Sequence, residues 1–136
     1  MQVCHSTQIN DSSDNLWSTL RSFDGVERYL SIVTKSVVEG HGKGSKRTCD
    51  VDMGHRMFQT LETLEVLDES NRLLTVSLDE GPIQVKGMKF TFVVKSQGAD
   101  TSEVVMSTDV DNPDAAGMAK TIFSMIGQGL KKFHEK

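Results

Sequence analysis

Residues 57–111 fall into segments whose apolar residues recur at every second position, and the pattern switches once, to a helical spacing over 113–133. A period of two sends successive side chains to opposite faces of a strand. Leu74, Val76 and Leu78 share one face while Thr75, Ser77 and Asp79 share the other. Met88, Phe90, Phe92 and Val94 oppose Lys89, Thr91 and Lys95, and Val104, Met106 and Val110 oppose Glu103, Ser107, Asp109 and Asp111. One oily and one wet face is the pattern of an antiparallel sheet. Such a sheet needs a cover on one side only. The terminal segment can supply it, because Met118, Ile122, Met125, Ile126, Leu130 and Phe133 form one stripe and Lys120, Ser124, Gln128, Lys131 and Lys132 lie elsewhere.

The earlier chain completes the order of elements. Residues 2–9 alternate loosely and read as a strand. Residues 10–14 are rich in helix-capping side chains, and Leu16, Trp17, Leu20 and Phe23 follow at helical spacing. Asp24-Gly25 ends that helix, and 26–30 can form one further turn. Strands are expected over 32–39 and 45–53, joined by the glycine-rich turn 40–44. Further strands are expected over 57–67, 73–79, 84–95 and 103–111, and Asn112 and Pro113 open the last helix as N-cap and first helical residue. The fold class is therefore α+β: a curved antiparallel sheet of about seven strands, with two short helices after the first, around a long C-terminal helix. Gly117, Gly127 and Gly129 are unfavourable in that helix and call for close backbone packing, room for a guest or a frayed end.

One residue breaks the oily pattern. In 58–68, the residues Phe58, Thr60, Glu62, Leu64 and Val66 would share a face, although Met57, Leu61 and Leu67 make the opposite face partly apolar too. A carboxylate inside an apolar wall is costly to ionise, a condition for acid–base chemistry or for orienting a ligand. Glu62 could equally pair with Arg47 or Arg56, or face solvent.

A chain of 136 residues suits one domain, 1–136, with a real core. Its apolar fraction of 37% and charged fraction of 25% are not those of a disordered segment. The net charge of −4 speaks against nucleic acid as a partner. No apolar run reaches the roughly 20 residues of a membrane span, and residues 1–10 show no signal peptide, so a cytoplasmic address is expected. Asn10-Asp11-Ser12 is formally a glycosylation triplet but reads as a loop.

Several chemistries find no support. His5, His41, His55 and His134 lack metal-ligand spacing with one another or with Cys4 and Cys49, so no metal and no cofactor is expected. No serine has the setting of a nucleophile elbow. Gly42-Lys43-Gly44-Ser45 lacks the glycine a phosphate loop would need where Val37 stands, and reads as a hairpin turn.

The order of these elements, with several local strings, resembles the START-like (Bet v 1-like, SRPBCC) helix-grip superfamily. The likeness is nearest to its polyketide cyclase/dehydrase-type and plant hormone-receptor branches. The matching strings are Leu16-Trp17, Lys35-Ser36-Val37-Val38-Glu39-Gly40, Arg47 after the glycine turn, Glu62-Thr63-Leu64-Glu65-Val66-Leu67-Asp68, Gly81-Pro82-Ile83 and Asp109-Val110-Asp111-Asn112-Pro113. Tyr29-Leu30 stands where relatives commonly have Trp-x-Pro, and polar residues that fix a carboxylate in the hormone receptors have no evident counterpart.

The resemblance implies that Glu62 faces a cavity. It also points Cys49, Val51, Met53, Val76, Met88, Phe90, Met106, Met118 and Ile122 inward and places His55 and Pro82, in the loops 54–56 and 81–84, at the mouth. With Phe58, the inward residues other than Cys49 make the expected ligand-binding set, and Met125 joins the inner methionines, whose flexible thioethers mould to varied guests or simply fill a core. The implied function is a binding or carrier domain for a small hydrophobic or amphipathic molecule. The alternatives are a polyketide cyclase/dehydratase-type enzyme with Glu62 as general acid or base, aided by Thr60 or Thr108, or a domain acting through its surface, where Val93 and Val105 face outward on the sheet. A protein partner or homodimer belongs to that last reading.

Overall fold

The computed structural model describes residues 1–135. Strand β1 (Gln2–Ile9) leads into helix α1 (Ser13–Arg21) and a 3-10 turn (Val26–Arg28). A meander follows: β2 (Val33–Glu39), β3 (Lys46–Asp52), β4 (Met57–Asp68), β5 (Leu73–Glu80), β6 (Lys89–Ser96) and β7 (Ser102–Asp109). Helix α2 (Pro113–His134) ends the described chain. The strands form one antiparallel seven-stranded sheet in the order β1-β7-β6-β5-β4-β3-β2, so β1 and β2 are its edges. This is the helix-grip architecture expected above.

Local chemistry sets the ends of the helices. The Ser12 hydroxyl accepts from the Asn15 backbone N–H at 3.1 Å, and the Asn112 side chain accepts from that of Ala115 at 2.9 Å with Pro113 in the first turn. The far end of α2 is tied down. His134 Nδ1 lies 2.8 Å from Asp11 and its Nε2 2.9 Å from the Thr19 hydroxyl, while Glu135 accepts from the Asn10 backbone N–H at 2.9 Å. Asn10 and Asp11 of the formal glycosylation triplet thus anchor the end of α2, while Ser12 caps α1.

Two expectations about phase and extent need correction. Phe58, Thr60, Glu62 and Leu64 do share the inner face, but Val66 is 41% exposed. A bulge between Leu64 and Val66 leaves Glu65 without a partner on β5, so Val66 pairs with Thr75 on the outer face and Leu67 turns inward opposite Leu74. Residues 84–88 are not strand: Val85 and Lys86 both return backbone N–H groups to the Pro82 carbonyl, and β6 begins only at Lys89.

The contact face of α2 also differs from the expected stripe. Its fully buried residues include Ala119, Phe123 and Leu130. Phe123 meets Phe90 edge-on, with ring centroids 5.6 Å apart. A Cβ added at Gly127 would overlap the Thr7 hydroxyl, and one at Gly129 would overlap the Tyr29 carbonyl. Close packing therefore explains both glycines. Gly117 has open space around it. The helix lies down on β1 and β7 and stands away from β3–β5, and that difference creates the cavity.

On the outer face Val93 lies opposite both Leu73 and Val105, and Val105 opposite Ser6. Both valines are half-buried by these cross-strand neighbours. Among the described residues no helix is long and apolar enough to cross a membrane.

Candidate functional site: an apolar cavity with an ion pair in its wall

A cavity of about 290 Å³ lies between α2 and strands β3–β6. Inward alternation supplies its walls: Val51 from β3, Phe58, Thr60 and Glu62 from β4, Val76 and Leu78 from β5, Phe90 and Phe92 from β6. Helix α2 contributes Met118, Thr121, Ile122, Met125 and Ile126. The segment after α1 closes one end with Val26, Tyr29, Leu30, Ile32 and Val33.

Most of the sequence-derived lining is brought together here: Val51, Met53, Phe58, Glu62, Val76, Phe90, Met118 and Ile122 all border the space. Of the two mouth residues, His55 is exposed where the cavity reaches the surface, beside the exposed Arg56, whereas Pro82 is buried in the wall. Met88 and Met106 do not line it. Met106 is fully buried in β7, under the part of α2 that seals directly onto the sheet. Met88 sits in the turn before β6 and borders a polar depression with Thr75, Thr91 and Ser107, while Val85 of the same turn takes the place on the cavity wall. Thr108 donates to the Lys89 carbonyl at 2.6 Å and is likewise outside.

The polar point is a pair. Arg47 enters the cavity from β3, directly across from Glu62 on β4. Its Nε donates to Glu62 Oε1 at 2.9 Å, its Nη2 donates to the same oxygen, and the Thr60 hydroxyl donates to Oε2 at 2.9 Å. The two side chains are 10% and 13% exposed, so the pair is largely taken out of water. Burial works against the charge on Arg47, but Glu62, Tyr29 and Cys49 together outweigh it and hold the guanidinium charged. Glu62 is therefore no solitary acid.

Arg47 has a second task. Its Nη1 donates to the Phe23 carbonyl at 3.0 Å, and its guanidinium carbon lies 4.1 Å from the centre of the Phe23 ring. Phe23 has φ 61, the left-handed region that a bulky residue rarely adopts. Those two contacts hold it there, and through it the turn that carries Val26, Tyr29 and Leu30 to the cavity.

Alternation supports Arg47, named above as a candidate partner of Glu62, as an inner-face residue, since Ser45, Arg47, Cys49 and Val51 share a phase and all are buried. Tyr29, Leu30, Leu78, Val85 and Phe92 also line the cavity without having been singled out. Leu78 and Phe92 were legible as inner-face residues, whereas Tyr29 and Val85 lie in turns without a period. Burial raises the Tyr29 phenol above its usual range, Arg47 drawing it part-way back and Glu62 pushing it further. Among the described residues no three His, Cys, Asp or Glu side chains converge as metal ligands.

Burial, reinforced by Glu62, pushes the Cys49 thiol up from 9.0 to about 11. The raised value favours the protonated thiol in the folded state, so its stabilising effect is complete below pH 9 and is lost as pH rises from 9 to 11. Stability should fall across that window by on the order of 1–2 kcal/mol more in the native chain than in Cys49→Ala. Urea denaturation at a series of pH values checks this. A difference between the two chains that stays flat from pH 8 to 11 would remove the titration of Cys49 from the account.

The family model described as "Polyketide cyclase / dehydrase and lipid transport" matches residues 1–136. The abscisic acid receptor PYL10 of Arabidopsis thaliana is 27% identical over 128 residues, covering 88% of this chain and 70% of the receptor. An uncharacterised Bacillus thuringiensis protein of known structure superposes with a TM-score of 0.86 at 22% identity, over 100% of both chains. A START superfamily protein from Mycobacterium smegmatis superposes with a TM-score of 0.84 at 12% identity, over 98% of this chain and 97% of its own. At those identities the two structures establish a shared fold.

Proposed function

The chain belongs to the polyketide cyclase/dehydrase and lipid-transport family, and from that premise we propose that residues 1–136 form a cytoplasmic binding or carrier domain for one small hydrophobic or amphipathic molecule. A lipid fragment, polyketide, isoprenoid or aromatic metabolite has the right character. The observation that carries this reading is the cavity of about 290 Å³, walled by aliphatic, aromatic and methionine side chains and marked by one ion pair. Pockets of roughly 300–1,000 Å³ with few polar anchors are the usual form of small-molecule sites. A volume at the low end of that range favours a compact ring system or a short chain over a two-chain lipid. The resemblance to a protein named as a receptor for abscisic acid supports a small-molecule guest, without carrying over that ligand.

The test is native mass spectrometry of the protein isolated from its own host, followed by organic extraction. A stoichiometric adduct of small mass that is released on denaturation is the expected result. A bare chain that also gains no thermal stability from any member of a panel of small apolar compounds would overturn the reading.

A cyclase or dehydratase is the second reading, favoured by the family description and by Glu62, Thr60 and Tyr29 converging on one cavity. In it Glu62 is the general acid or base. The Arg47 pairing weighs against it, because a proton acceptor engaged by a guanidinium must give up that partner as it takes a proton. Once a substrate is in hand, Glu62→Gln should abolish turnover if this reading is right. Turnover at the native rate in that variant would dismiss the mechanism.

A further inference from the structure

We infer that the guest carries an uncharged polar group able both to donate and to accept a hydrogen bond, a hydroxyl, phenol, enol or amide, and that it is neither a carboxylate nor an amine at its buried end. This rests on the reading of the cavity as a binding site and sharpens it. Among the described residues of the lining, the buried charges are Arg47 and Glu62, which neutralise one another. A guest arriving there meets no net charge. A carboxylate gains from Arg47 but loses to Glu62, and its lost hydration goes uncompensated; an ammonium suffers the reverse.

The hydrogen-bond inventory points to the neutral group. A guanidinium has five N–H donors. In Arg47, Nε and one N–H of Nη2 go to Glu62 Oε1, and one N–H of Nη1 goes to the Phe23 carbonyl. Two N–H groups remain, one on each terminal nitrogen, and the Tyr29 phenol engages one of them, which leaves a single donor for a guest. Glu62 Oε2 accepts from Thr60, the Cys49 thiol also hydrogen-bonds to the carboxylate, and a carboxylate has about four lone-pair sites in all. A cationic donor and an anionic acceptor thus stand as cross-strand neighbours on the cavity wall. A hydroxyl can answer both at once, receiving from Arg47 and giving to Glu62, whereas a carboxylate offers two acceptors to a site that already holds one.

Arg56 is the competing cation, exposed at the mouth and stacked 5.5 Å from the Phe58 ring. It could hold an anionic head outside the cavity and obscure the comparison. The experiment is therefore run in Arg56→Gln, measuring by calorimetry the affinities of naphthol, naphthalene and naphthoate at neutral pH. Naphthol should bind roughly tenfold or more tightly than either of the others. Naphthoate binding as well as naphthol overturns the inference, and so does naphthalene binding as well as naphthol. If none of the three binds, the cavity reading itself fails and takes this one with it.

A second variant tests the charge balance from the opposite side. Glu62→Gln keeps an acceptor for Arg47 but removes its counter-charge. In Arg56→Gln/Glu62→Gln, confirmed folded by circular dichroism, the naphthoate-to-naphthol affinity ratio should rise by about tenfold or more. An unchanged ratio would show that the pair does not select guests by charge.

Discussion

Replacing Gly129 with alanine should lower the stability of this chain by roughly 3 kcal/mol, within the upper part of the range for overpacking a close contact. An added Cβ there would overlap the Tyr29 carbonyl oxygen, which is backbone and cannot turn aside. Either α2 lifts from the segment that closes the cavity, or that segment shifts and disturbs Tyr29 and Leu30. Gly127→Ala should cost less, because the atoms in its way belong to the Thr7 side chain, which can change rotamer where backbone cannot. Gly117→Ala has the opposite sign: with open space around it, alanine gains up to about 1 kcal/mol from helix propensity. At about 3–5 °C per kcal/mol for a domain of this size, the alanine variants at 129 and 117 should differ in Tm by more than about 10 °C. Thermal unfolding of the three variants settles the order. If Gly129→Ala melts with the native chain, the helix does not seat on Tyr29.

The Arg47–Glu62 pair gives the other large effect. Removing Arg47 alone, as Arg47→Met, leaves a carboxylate only 13% exposed without its counter-charge, a change that typically costs about 3–5 kcal/mol. It also withdraws the donor from the Phe23 carbonyl and the cation from its ring, releasing a residue held at φ 61. Replacing both partners, as Arg47→Met/Glu62→Leu, removes the stranded charge and should recover most of the loss. What remains unrecovered, about 1 kcal/mol, measures the contacts to Phe23. Urea unfolding of the two single variants and the double variant gives the coupling directly. Additive losses would mean that the two side chains do not interact in solution.

The fold was legible because its periods are clean. The alternation in β5, β6 and β7 and the Asn112-Pro113 start of α2 each state a local structure, and one sheet with one covering helix follows. What the pattern hid was hidden for physical reasons. The bulge at Glu65 is a slip in register that composition does not announce, and it exchanges Val66 for Leu67 on the inner face. The stripe read on α2 was centred on its large side chains, whereas the helix makes its closest approach through Gly127 and Gly129, where small size is the property selected. That choice of face decides which methionines border space: Met118 and Met125 do, and Met106 is sealed beneath the helix. The pairing of Glu62 was an open alternative in the sequence, and the register of β3 against β4 resolves it by setting Arg47 directly opposite.

The open end of the sheet carries a consequence for behaviour at high concentration. Strand β2 has a neighbour on one side only, and an unpaired strand edge is a template for another chain. Here the ladder is irregular between Val33 and Lys35, and the exposed Lys35 and Glu39 flank the apolar Val37. Irregular register and exposed charged side chains are among the means by which natural sheets discourage edge-to-edge aggregation. On this edge, therefore, the features that discourage a second chain from pairing are carried by residues that do not line the cavity, apart from Val33 at its start.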